Sequence, residues 1–98
     1  MTMEKYNIFF DSPVGLLSGT LDLCQTECGL TGHITMGRGT NITDGHIMDD
    51  KRDFYGTVWL REEEVPFHAQ GVLEDGMLEL DMNIGAQLFP LTGFPISE

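Results

Sequence analysis

The sequence predicts an all-β fold: a single antiparallel meander of about eight or nine short strands, curled into a small up-and-down barrel. Three observations predict it. Apolar residues recur at every second position in run after run, which is the period of a half-buried strand. Twelve glycines and four prolines punctuate these runs, so the connections are tight turns with little room for the long crossovers of a Greek key. No run shows the periodicity of an amphipathic helix, and the acidic stretch Glu62-Glu63-Glu64 meets Pro66 at once, where a helix would break. A chain of 98 residues holds one domain, so a single barrel is expected over 1–98.

The first strand covers 5–11, with Tyr6, Ile8 and Phe10 in one phase, and Ser12-Pro13-Val14-Gly15 turns the chain. The second covers 16–24 and points Leu17, Leu21 and Leu23 one way, Ser18, Thr20 and Asp22 the other. Gln25-Thr26-Glu27 makes a turn, and the third strand, 28–36, sets Leu30, Ile34 and Met36 against Thr31, His33 and Thr35. Gly37-Arg38-Gly39 interrupts the pattern. Segments 40–44 and 46–49 then read as two weaker strands around Asp44-Gly45, a dipeptide that suits a tight hairpin turn. After the polar turn Asp49-Asp50-Lys51-Arg52, the strand 53–61 carries Phe54, Val58 and Leu60 in phase, and 65–73 carries Val65, Phe67 and Ala69. Glu74-Asp75-Gly76 is a further Asp-Gly turn. The strand 77–84 alternates most cleanly, Leu78, Leu80, Met82 and Ile84 against Glu79, Asp81 and Asn83. Gly85-Ala86 leads into the last strand, 87–93, with Phe89 and Leu91.

A meander with one apolar face must close on itself or pack against another sheet. Gly19, Gly32, Gly56, Gly71 and Gly93 fall inside strands, where glycine weakens pairing unless it serves a bend or a close approach. Their similar placement points to the tight curling of a small barrel. This rhythm, with Ser12-Pro13-Val14-Gly15, Ser18-Gly19-Thr20-Leu21, Leu30-Thr31-Gly32, Asp44-Gly45 and Leu91-Thr92-Gly93, resembles small bacterial β-barrel proteins of calycin type, the lipocalin-like and streptavidin-like meanders. The resemblance implies the barrel architecture and a binding role. It carries over no ligand and no site residue.

The net charge of −11 argues against nucleic acid and anionic membrane as partners, since both attract basic surfaces. No apolar run reaches membrane-spanning length. Met1 to Tyr6 lacks a basic region followed by an apolar one, so no signal peptide and a cytoplasmic location are expected. In that compartment Cys24 and Cys28 are expected to stay reduced, with a cross-hairpin disulfide as the alternative. Their spacing is not that of a redox pair opening a helix, and two cysteines alone do not complete a zinc site. His33, His46 and His68 stand on three different strands, and only a curved sheet could bring two of them together. Asp44, Asp49, Asp50 and Asp53 lack the spacing of a calcium loop, and Lys51 and Arg52 sit among them as compensating charges. Neither metal nor cofactor is expected. No nucleophile motif or phosphate loop occurs, so no catalytic residue is expected; an enzyme would have to draw on His33, Tyr55, Arg61 and His68.

The strand 53–61 stands apart, because Tyr55, Thr57, Trp59 and Arg61 alternate with its apolar phase. Phe9 repeats this on the first strand and Val72 on the strand 65–73. A strand that is apolar on both faces implies a cover, and with no helix in the chain a partner subunit is the economical one. Tyr, Trp and Arg are also the residues that dominate interface energetics. Ordinary strand propensity and a cavity lining compete with this reading. The expected function is a non-catalytic binding or self-assembly module, a homodimer with Phe9, Tyr55, Trp59 and Arg61 as interface or ligand contacts. The alternative is a calycin-like carrier of a small apolar molecule, with His33 and His68 as polar contacts. Bulky inward residues weigh against an empty interior.

Overall fold

The computed structural model describes residues 2–96. The strands are β1 (Thr2–Ser12), β2 (Gly15–Thr26), β3 (Gly29–Met36), β4 (Arg38–Met48), β5 (Lys51–Leu60), β6 (Glu63–Glu74), β7 (Met77–Ile84) and β8 (Gln87–Pro95). Each pairs antiparallel with the next, and β8 returns to β1, so the meander closes into a barrel in plain sequence order. Among the described residues no helix is long and apolar enough to cross a membrane. Closure removes the free edges that an open sheet would offer to another chain.

The alternation read from the sequence is the division between lumen and outer wall. Tyr6, Ile8 and Phe10 of β1 point inward, as do Leu21 and Leu23 of β2, Ile34 of β3, Phe54 and Val58 of β5, Phe67 of β6, Met82 of β7 and Leu91 of β8. They meet in one core, with the rings of Phe54 and Phe67 packed edge to face at 5.9 Å. A barrel of this strand number is just wide enough for its own side chains to fill.

Two expectations are corrected. The segments flanking Asp44-Gly45 are one strand, β4, which makes eight strands. The register shifts between Ile42 and Asp44, so a bulge lies where a turn was expected, and the Asp44 carboxylate accepts the Gly45 N–H at 2.8 Å. A local Asp-Gly signal cannot distinguish the two, because both use glycine's backbone freedom. The second correction is that β5 begins at Lys51, which draws Arg52 out of the expected turn and into the inward phase.

Gly71 and Gly19, both in the inward phase, stand where neighbouring backbone leaves no room for a side chain. A Cβ built on Gly71 would stand 1.8 Å from the Glu79 carbonyl oxygen on β7, and one on Gly19 would stand 1.7 Å from the Thr35 oxygen on β3. At these points one strand coils across the backbone of its neighbour, and only glycine fits.

Candidate functional site

With a lumen filled by side chains, the candidate surfaces lie on the outer wall and at the barrel mouth. The expected contact residues divide between two opposite sides. Phe9 belongs to β1, whereas Tyr55 and Trp59 belong to β5, half-way round the closed order. Arg61 stands in the β5–β6 turn at positive φ, exposed. One surface cannot hold all four, because a barrel turns successive strands progressively away from each other.

On the first side, Phe9 and Phe94 are each 45% exposed, with their rings edge to face at 5.9 Å. Cross-strand register sets this pair: Phe9 faces Thr92 and Asn7 faces Phe94, which makes the two rings diagonal neighbours. They flank a shallow groove of about 630 Å³ whose other outward side chains are Asn7, Ser18 and Thr20. Leu16 and Leu88 extend the exposed apolar surface on β2 and β8. The whole of β8 carries no charged residue.

On the opposite side, the outer faces of β4, β5 and β6 hold a polar and aromatic cluster. Tyr55 lies directly across from His68, and their rings stack at 4.1 Å and 5°. His68 Nε2 is 2.7 Å from Asp53 Oδ1, and Gln70 Nε2 donates to Asp53 Oδ2 at 2.9 Å. Partial burial pushes the Asp53 carboxyl up, but the hydrogen bonds from Gln70 and His68 and the nearby His46 outweigh it and hold the group below its usual range. Further along β5, the Arg38 guanidinium covers the Trp59 ring 4.0 Å from its centre. Tyr55 and Trp59 therefore each stack on a group of the same chain.

His33 lies three strands from His68 on the outer face of β3, beside a groove of about 570 Å³ that Met3, Asp22, Cys24 and Asn41 also line. Cys24 and Cys28 are free thiols.

The residue missed in the sequence is Arg52. It is 5% exposed and points into one barrel mouth, where its Nε and Nη2 reach the two Glu4 oxygens at 3.1 and 2.6 Å. A third nitrogen, Nη1, donates to the Asp49 carbonyl at 2.7 Å. Since β1 and β5 are opposite strands, this paired contact is a bar across the mouth. Gln25 braces the same end from β2 to β4, donating to the Ile47 carbonyl at 3.1 Å and accepting the Ile47 N–H. A sequence signal existed: Glu4 continues the apolar phase of Tyr6 and Ile8, and Arg52 that of Phe54.

Tyr6 completes this end by donating its hydroxyl to Glu4 at 2.6 Å. Burial first, and the Glu4 carboxylate second, push the phenol well above its ordinary value of 10.0. A group raised by folding stabilises fully below its unfolded pKa, and that contribution is lost as pH rises through the folded value. Urea midpoints are therefore expected to fall above about pH 10, and Tyr6→Phe is expected to flatten that fall while costing about 1 kcal/mol at neutral pH. An equal alkaline slope in both proteins would show that Tyr6 does not carry it.

Compared with family models, with curated proteins and with solved structures, the chain matches none.

Proposed function

We propose that this barrel is a non-catalytic self-assembly module that pairs with a second copy of itself through the outer face of β8, β1 and β2. The observation that carries the reading is the exposed Phe9–Phe94 pair on β1 and β8, the latter a strand without a charged residue, on a molecule with net charge −11. Two such molecules repel each other on most approaches. On this face β8 contributes no carboxylate and β1 brings Asp11, across from Leu16, while the exposed rings present the apolar surface that makes contact favourable. The interface keeps Phe9 and adds Phe94, Leu16 and Leu88. Tyr55 and Trp59 are left out because His68 and Arg38 already cover one face of each ring.

A carrier of a small apolar ligand has less support. Its ligand would need the space that Phe10, Phe54, Phe67 and Met82 occupy, behind a mouth barred by Arg52 and Glu4. The free thiols of Cys24 and Cys28 suit a reducing compartment, and we place the protein in the cytoplasm on that ground.

A strip about three strands wide is small beside the ~800 Å² that each partner buries in a standard interface, so a micromolar dissociation constant is expected. Sedimentation velocity over a concentration series is the test. Dimer is expected to increase with concentration, and to increase further with added salt, which screens the repulsion between copies. Phe9→Ser with Phe94→Ser should leave a folded monomer. A wild-type protein that stays monomeric at high concentration and high salt overturns the proposal, and a double variant that still dimerises moves the interface elsewhere.

A further inference from the structure

We propose that the outer face of β4, β5 and β6 binds a late first-row transition cation (Zn²⁺, Ni²⁺ or Cu²⁺) through His46, Asp53 and His68. The three residues stand on adjacent strands with Asp53 in the middle. His46 faces Asp53 directly across the β4–β5 ladder, a position that sets Cβ atoms about 4.5–5.5 Å apart. From the other side, His68 Nε2 already stands 2.7 Å from Asp53 Oδ1. Two donors on one tetrahedral ion, each ~2.0–2.1 Å from it, are about 3.3 Å apart. A small opening of the His68–Asp53 contact therefore admits a cation in place of the shared proton.

Two of the three ligands are also held from outside, as ligands in built sites are. The His68 ring is fixed by its stack on Tyr55, and Gln70 holds the second Asp53 oxygen. Among the described residues no three His, Cys, Asp or Glu side chains are posed around one point. The exposed His46 ring supplies the third ligand by turning over Asp53. Two imidazoles and one carboxylate select zinc, nickel or copper over magnesium and calcium, which prefer all-oxygen sets. The charge of −11 favours any cation. This face is on the far side of the barrel from Phe9, so cation binding and self-assembly are separate properties.

Calorimetric titration with Zn²⁺ and Ni²⁺ tests the site, in a Cys24→Ser, Cys28→Ser background because both thiols are competing ligands. One equivalent is expected to bind, and His46→Ala and His68→Ala should each weaken it about tenfold or more. In parallel, Zn²⁺ added to the parent should shift the ring resonances of His46 and His68 together while leaving those of His33. Mg²⁺ should shift none. Binding that survives His46→Ala undiminished, imidazole shifts that include His33 equally, or no saturable binding of one equivalent would each overturn the proposal and leave adventitious surface binding only.

Discussion

Replacing Arg52 with alanine is expected to cost the fold about 3–5 kcal/mol, the range for removing one partner of a buried ion pair. The readout is a lower urea midpoint at unchanged slope. The cost comes less from lost attraction than from what remains. Glu4, with its side chain 16% exposed, would be left in the mouth without the guanidinium, beside the Tyr6 hydroxyl. The Asp49 carbonyl would also lose a donor. Against the 5–15 kcal/mol that typically separates folded from unfolded, such a loss leaves little margin. Arg52→Lys should recover only part of it, because an ammonium cannot span both carboxylate oxygens. Arg52→Met combined with Glu4→Gln should recover most of it, since the charge is then gone and the amide still accepts from Tyr6. If Arg52→Ala alone costs under about 1 kcal/mol, the pair behaves as an exposed one and the mouth is not barred.

The contrast between Arg52 and its neighbours shows what the sequence makes legible. Phe54, Val58 and Leu60 reveal their strand because period-two alternation is written within a few residues, and closure follows from eight such runs joined by short turns. Arg52 shares their phase, but a charge at the start of a strand, among three aspartates, has a sufficient local explanation. Its true partner is 48 positions away, on the far wall. The same limit applies to the outer surface. The sequence marks Phe9, Tyr55 and Trp59 as surplus aromatics, but their grouping depends on the order around the barrel. Closure puts Phe9 beside Phe94, from a segment just past the expected end of the last strand, and puts His68 between Tyr55 and Asp53. Each of these pairs depends on strand register, which a one-residue slip would reverse.

Gly71→Ala is expected to destabilise the barrel by about 3 kcal/mol or more, at the upper end of overpacking costs. Gly19→Ala should do the same. The new methyl group in Gly71→Ala meets backbone: the Glu79 oxygen at 1.8 Å and the Leu80 Cα at 2.8 Å. Backbone in a closed ladder cannot swing aside as a side chain tip can, so relief requires β6 and β7 to part. In a barrel that separation propagates, because every strand is paired on both sides. Gly39→Ala is the matched control. Its methyl would find only the Thr35 hydroxyl at 3.4 Å, and the change also restricts the unfolded chain, so its expected effect lies between neutral and a gain of about 1 kcal/mol. A difference of several kcal/mol between two chemically identical substitutions would locate the bend that closes the sheet. Equal effects would mean that β6 does not coil across β7 at this point, and the inward glycines would then need another explanation.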